Sequence, residues 1–252
     1  MKSVVIVGAG FAGLSAARTL AGESGKVSVT LVNRSPRIEY RPLLPDAAGG
    51  TIPSRYLSTP IRSYASRYNF RFVEGEVVGF DTDRNRVRTL STSIPYDYCI
   101  IAAGSQTNFY GNAQVEANAL KLDCVSDSRT LHGALSGGGY DHVVVCGGGY
   151  TGVETATFVR RFYDAHSVSP TISIVEMLDT LVKPLPRWMK RYVAENLDRM
   201  NITPRTDTKV ESIEDRSITL SDGTRIDNAL LVWTAGMKAA ACTEAIDVPR
   251  GS

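Results

Sequence analysis

The sequence is poor in the features that mark several large classes of protein. It has no run of five like charges, and 28 Lys and Arg nearly balance 26 Asp and Glu for a formal net charge of +2, so nucleic acid is not an implied partner. No uninterrupted apolar stretch approaches the ~20 residues that a membrane-spanning helix requires. Histidine is scarce, with three in the chain, and the four cysteines, Cys99, Cys124, Cys146 and Cys242, make neither a C-x-x-C pair nor a metal-ligand spacing. Those absences argue against a disulfide scaffold and a zinc site, leave no metal ligand to name, and fit a reducing, cytoplasmic setting. The N-terminus has a lysine before an apolar run, but its glycines do not fall near a cleavage site, so it reads as mature structure and not as a signal peptide.

What the chain does have is 43% hydrophobic residues over 252 positions, enough for one substantial core or two modest domains. It also says one thing twice. MKSVVIVGAGFAGLSAARTLAG at the start and HVVVCGGGYTGVETATFV near the middle each place a glycine-rich turn between a short β-branched run and a helix-like stretch.

In the first half, Val4 to Val7 reads as a buried strand, a helix follows through Leu14, Ala17 and Leu20, and Val27 to Val32 is the next strand. That is one strand–helix–strand unit of a parallel sheet. RIEYRPLLPDAAGGTIPS, rich in Pro and Gly and without a period, reads as a long irregular connection. Phe70 to Glu74, Glu76 to Asp81 and Arg86 to Leu90 look like strands of a meander turned at Asp83, Arg84 and Asn85, and Tyr98 to Ala102 is an apolar strand stopped by Gly104. The second half replays this order. A helix over Asp127 to Leu135 ends in Gly137, Gly138 and Gly139, and then come a strand His142 to Cys146, a turn Gly147 to Gly152, a helix Val153 to Tyr163 and a strand Ile172 to Glu176. Residues 186 to 200 carry Trp188, Met189, Tyr192, Val193, Leu197 and Met200 at helical spacing, which suits a helix packed on a sheet or, as the alternative, one lying on a membrane surface. A strand near Glu211 to Ile213, a hairpin at Asp222 and Gly223 and an apolar strand Ala229 to Thr234 follow. The fold class is therefore α/β, with two Rossmann-like dinucleotide-binding domains. Residues 1–107 form one domain, residues 108–237 the other, and residues 238–252 begin a return to the first.

Each turn has the form G-x-G-x-x-G: Gly8, Gly10 and Gly13, then Gly147, Gly149 and Gly152. The first glycine makes the tight turn, the second lets backbone approach a pyrophosphate, and the third lets helix and strand lie close. Unpaired N–H groups and the positive end of the helix dipole then hold the phosphates. A bare glycine turn can also be a mere connector, but the strand and helix context is met at both. A Walker-type phosphate loop is excluded, since the Gly-Lys of GESGKVS lacks the upstream glycine and the following Ser or Thr. The residue ending the second strand of each unit meets the adenosine ribose. In the second unit that is Glu176, a carboxylate that accepts from both ribose hydroxyls and repels a 2′-phosphate, which favours NADH over NADPH. In the first it is Asn33, a neutral amide beside Arg34.

On VVIVGAGFAGL, RPLLPDAAGGTIPSRYLSTPIRS, YDYCIIAAGSQTNFYGN, VVVCGGGYTGVETA and LLVWTAGMKA, the chain resembles the two-dinucleotide flavoproteins of the glutathione reductase superfamily, and within it the type II NADH dehydrogenases, which are NADH:quinone oxidoreductases. GSQTNFYG and the Gly-Val-Glu continuation of the second turn are the more specific parts. The resemblance implies FAD at Gly8 to Gly13, with Asn33 and Arg34 at its adenosine end, Val77 at the adenine, Arg41 and Leu43 near the flavin, and Ala103 and Gly104 closing that site. It implies NADH at the second turn, with Gly236 near the nicotinamide and Glu154 beside nicotinamide and flavin. Glu154 then positions the nicotinamide or relays a proton; its plainer role is a helix glutamate favoured by the dipole. Hydride passes from nicotinamide to flavin and electrons then reach a quinone of the respiratory chain. The resemblance also implies a peripheral place on the cytoplasmic face of the inner membrane for the full-length form, and it allows a homodimer.

The missing C-x-x-C pair argues against the disulfide reductases of the superfamily. Sulfide:quinone oxidoreductases, which use separated cysteines, are the nearer alternative, carried by Cys124. A nucleotide-binding redox sensor without turnover is another. Relatives continue past the TAG turn with a flavin-contacting Gly-Asp segment and a membrane anchor, so the expectation is a truncated chain with weakened FAD retention and little quinone turnover.

Overall fold

A computed structural model of the chain describes residues 1–23, 25–244 and 246, and these form two compact units. The first takes in Met1–Glu39, Ser58–Gln106 and the segment from Lys238; the second takes in Tyr40–Leu57 and Thr107–Met237.

The first unit is built on a parallel sheet whose strands lie in the order Arg71–Glu74, Val27–Asn33, Lys2–Val7, Tyr98–Ile101. The unbroken VVIV run fits a strand covered on both faces, because successive side chains point to opposite sides. Val4 and Ile6 join an apolar cluster with Ala17, Ile61 and Ala65 from helices Phe11–Ala21 and Ile61–Tyr68, while Val5 and Val7 join Phe80 and Val87 from an antiparallel meander. That meander runs Val77–Asp81, Arg86–Thr89, Ser93–Pro95. Each such fully buried aliphatic side chain is worth about 1.5–3 kcal/mol relative to exposure.

The second unit repeats the plan. Its parallel sheet runs Leu120–Lys121, Ala229–Trp233, His142–Cys146, Thr171–Val175, Ile202–Arg205. Val143 and Val145 pack toward helices Val125–Gly137, Tyr150–Ala165 and Arg187–Arg199, and Val144 and Cys146 toward the meander Val210–Glu214, Ser217–Leu220, Arg225–Ile226. The registers of the two sheets also agree. Val7 is level with Val32 and Ile101, and Cys146 is level with Val175 and Trp233, so in each unit the strand before the glycine turn and its two neighbours end together beneath that turn.

Several elements depart from the sequence reading. Arg71–Glu74 leaves the meander and pairs in parallel with Val27–Asn33, and Ser93–Pro95 takes the third meander place. Sequence adjacency to Val77–Asp81 concealed this, since an outer parallel strand is partly exposed and as mixed in composition as a meander strand. The connection after Arg37 is structured. Arg37–Glu39 pairs antiparallel with Ser58–Pro60, and a 3-10 turn, Arg41–Leu43, leads into a short helix, Leu44–Ala48. Pro42 and Pro45 sit in the first positions of those two turns, where proline starts a helix instead of breaking one. Of this stretch, Tyr40–Leu57 belongs to the second unit, which makes the first unit discontinuous.

The helix Val125–Gly137 takes in Gly137, and Gly138 and Gly139 stop it with φ of 65° and 80°. Both fingerprint helices begin inside their motifs, at Phe11 and Tyr150. In Arg187–Arg199 the inner face is Val193, Leu197 and then Met200, whereas Trp188 and Tyr192 are 64% and 61% exposed. Of the expected return segment 238–252, residues 245 and 247–252 lie outside the described residues.

Candidate functional site

The two glycine turns share one geometry. Gly8 and Gly147 have φ of 102° and 109°, which L-residues rarely adopt, and a Cβ on them would lie 2.3 Å from the Ala102 carbonyl oxygen and 2.8 Å from the Ala235 nitrogen. A Cβ on Gly13 or Gly152 would lie 1.8 Å from the carbonyl oxygen of Gly8 or Gly147, so the helix can approach its own turn only without a side chain there. At Gly10 and Gly149 an added Cβ would meet nothing within 4 Å. The middle glycines therefore keep a space open above the turn, while the outer two hold the backbone together.

Gly10 and Gly149 are the N-caps of their helices, with no side-chain cap and no acidic residue in the first turn. The positive end of each helix is thus turned toward an open, uncapped cradle, as a pyrophosphate requires. The residue at the end of the second strand, Asn33 in one unit and Glu176 in the other, ties into the turn in the same way. Asn33 Oδ1 accepts from Ala9 N at 3.0 Å while its Nδ2 donates to Ser35 O at 2.9 Å. Glu176 Oε2 accepts from Gly148 N at 2.6 Å and Oε1 from Leu178 N at 2.8 Å. Each side chain is held at the cradle's rim by the backbone of the residue following the first glycine.

The first unit brings together Gly8, Gly10, Gly13, Asn33 and Ala103, whose Cα is 3.0 Å from where a Gly8 side chain would begin. Val77 shares the apolar cluster of Val7, Val32 and Ala103, Arg34 is exposed, and Gly104, with φ of 71°, accepts from Ala240 N at 3.2 Å. Arg41 and Leu43 belong to the second unit, just ahead of the helix Leu44–Ala48. The second unit brings together Gly147, Gly149, Gly152 and Glu176, with Thr234 Oγ1 donating to Cys146 O at 2.9 Å. Gly236, with φ of 73°, lies against the ring of Tyr110. Glu154 is exposed on the second fingerprint helix; partial burial and then the charge of Asp46 raise its carboxyl above the ordinary value.

Sequence reasoning missed a brace on the second turn. Val182, buried and β-branched, holds φ of 43° and donates its N–H to Gly148 O at 2.8 Å, while Leu181 fills the space beside Gly148. The only hint was the middle glycine of the run Gly147, Gly148 and Gly149, since a side chain at Gly148 would strike Leu181 at 2.4 Å.

The cysteines show no constellation for sulfur chemistry. All four are free; burial pushes the Cys99 thiol up to about 11 and that of Cys146 up to about 12, and Cys124 caps the helix Val125–Gly137 beside Ser126. Among the described residues no three His, Cys, Asp or Glu are placed to hold a metal ion, and no helix is long and apolar enough to cross a membrane.

Twin parallel sheets, each with an uncapped glycine cradle at the helix end of its central strand, define a protein with two dinucleotide-binding units. The chain belongs to the pyridine nucleotide-disulphide oxidoreductase family, whose model matches residues 2–251. A type II NADH:quinone oxidoreductase of Haemophilus influenzae is 26% identical over 98% of this chain and 67% of its own length. The solved structure of NDH2 from Plasmodium falciparum in complex with NADH superposes with a TM-score of 0.86 at 21% identity, over 97% of this chain and 57% of that one. Sulfide:quinone oxidoreductase from Aquifex aeolicus has the same fold, with a TM-score of 0.86 at 19% identity over 97% of this chain and 61% of that one. The chain thus spans roughly three fifths of the length of these three proteins.

Proposed function

We propose that the chain carries the two nucleotide sites of an NADH:quinone oxidoreductase, FAD at the first turn and NADH at the second. The observation that supports it most directly is the duplicated cradle, with an amide at the rim of one copy and Glu176 at the rim of the other. The Gly8 to Gly13 turn would hold the FAD pyrophosphate on the N–H groups of the first helical turn, with Asn33 at the ribose. Val77, Ala103 and Gly104 complete that side, and Arg34 is the cation at its adenosine end. Arg41 and Leu43 are proposed to reach the flavin.

At the second turn, the Gly147 to Gly152 backbone would take the NADH pyrophosphate. Glu176, already preset by Gly148 and Leu178, would accept from the ribose hydroxyls and exclude a 2′-phosphate by like charge. Bound flavin supplies the hydride-accepting and electron-releasing chemistry; the chain's residues align, polarise and exclude water. Gly236 would lie at the nicotinamide end, and Glu154 would position the nicotinamide or relay a proton there. A quinone as acceptor, attachment to the cytoplasmic face of a membrane and a homodimer are parts of the same reading that vesicle flotation and sedimentation would examine.

The deciding experiment is a nucleotide titration of Gly149→Val. Losing one or two charge-assisted backbone bonds, each worth about 1.5–3 kcal/mol, weakens NADH binding by at least about tenfold while FAD binding is unchanged. Unchanged NADH affinity in that variant overturns the assignment.

A further inference from the structure

The turn at residues 108–112, in the second unit, carries two adjacent aromatic rings in unlike surroundings. Phe109 is buried against Trp233, with the ring centroids 5.8 Å apart. Tyr110 is 69% exposed and has φ of 53°, a left-handed conformation that suits Gly or Asn and costs a bulky residue free energy. An aromatic side chain that neither fills the core nor suits its own backbone adds little to stability, and such outliers concentrate at ligand sites.

The backbone around Tyr110 is fixed. Tyr110 N donates to Asn108 Oδ1 at 2.9 Å, Asn108 N to Gly236 O at 3.2 Å, Trp233 Nε1 to Asn108 O at 3.0 Å and Asn112 Nδ2 to Glu211 O at 2.8 Å. The ring is seated on Gly236, where a side chain would begin 2.6 Å from its Cε2 and Cζ. The glycine lets one side of the ring lie on backbone, and the exposure of Tyr110 leaves the other side open. Gly236 follows the strand Ala229–Trp233, which flanks the central strand His142–Cys146 on the side away from Thr171–Val175. Ala235, just before it, is the backbone against which Gly147 packs. A dinucleotide with its pyrophosphate on the Gly147 to Gly152 turn and its adenosine ribose at Glu176 therefore runs on toward Ala235, Gly236 and the ring of Tyr110.

We propose that Tyr110 is the platform on which the nicotinamide end of the dinucleotide lies, a role that rests on the second turn being the NADH site. By it the cradle distinguishes the whole dinucleotide from fragments that lack the nicotinamide. Flat π systems favour offset stacking, and a tyrosine whose backbone is already held in place loses little freedom when the ligand arrives. Contact on one face of the nicotinamide leaves its other face open to a hydride acceptor.

The test is equilibrium titration of the full chain with NADH and with ADP-ribose, which keeps the adenosine, the pyrophosphate and the second ribose but has no nicotinamide. Tyr110→Ala and Tyr110→Asn are expected to weaken NADH about three- to tenfold and to leave ADP-ribose unchanged, while Tyr110→Phe, which keeps the ring, binds both like wild type. The urea midpoint of Tyr110→Asn is expected to stay or rise, since asparagine suits the positive φ; a ring that merely covers Gly236 would make it fall. NADH affinity unchanged in Tyr110→Ala and Tyr110→Asn, or both ligands weakened equally, overturns the platform and leaves the NADH site standing. ADP-ribose that binds Gly149→Val as tightly as wild type, or wild type that binds neither ligand, overturns the NADH site and the platform with it.

Discussion

At the scale of single residues, the six fingerprint glycines do two different jobs, and substitution distinguishes them. Gly152→Ala puts a methyl 1.8 Å from the Gly147 carbonyl oxygen, so the turn must open. A loss of about 1–3 kcal/mol or more is expected in urea unfolding, the size of an overpacked core. Gly149→Ala meets nothing within 4 Å and costs under about 1 kcal/mol, chiefly because alanine is a poorer N-cap than glycine. Its effect appears in nucleotide affinity instead. The pair of variants thus separates the glycine that shapes the fold from the glycine that leaves room for a ligand. That division of labour was legible in the sequence, because G-x-G-x-x-G spacing encodes it. The brace from Val182 was not: a positive φ at a valine follows from what surrounds it, and its own side chain argues against it.

At the scale of elements, what holds the central strand of the first unit to its neighbour is partly electrostatic. Asp97, just before Tyr98–Ile101, accepts from Ser3 N at 2.7 Å, from Ser3 Oγ at 2.8 Å and from Lys2 Nζ at 3.0 Å. The Ser3 backbone bond first, and the Lys2 and Ser3 side chains after it, hold its carboxyl at about 2. A depressed folded-state value means stability that is present above the unfolded value of about 3.9 and is lost as the pH falls through 2. Unfolding of wild type and Asp97→Asn is therefore expected to differ at pH 6 and to converge as the pH approaches 2; a constant difference contradicts this. In the second unit, Asp215 and Arg216 turn the meander with φ of 47° and 65°. Such a turn favours Asp-Gly, so Arg216→Gly is expected to raise stability by up to about 1 kcal/mol, less what its contact over the Tyr140 ring contributes.

Elements with one strong period were readable: VVIV and HVVVC are strands buried on both faces and announce themselves as apolar runs. The parallel pairing of strand Arg71–Glu74 and the helix Leu44–Ala48 were not, because the first is a mixed outer strand and the second is five residues long and held by packing against residues far along the chain such as Val125.

At the scale of the molecule, each nucleotide cradle is made wholly within one unit, from its own central strand, helix and rim residue. Gly10→Val is expected to reduce FAD binding and spare NADH, and Gly149→Val to do the reverse, by equilibrium titration of each ligand alone. Loss of both ligands in either variant would show that the units fold as one. The excursion Tyr40–Leu57 bears on how they are assembled. On the ribosome, Leu44 and Ala47 emerge well before Val125, with which they cluster, and Ala48 before its partner Phe162. A nascent chain that ends short of Val125 leaves these apolar side chains uncovered, a handhold for a chaperone and a target for a protease until the second half arrives.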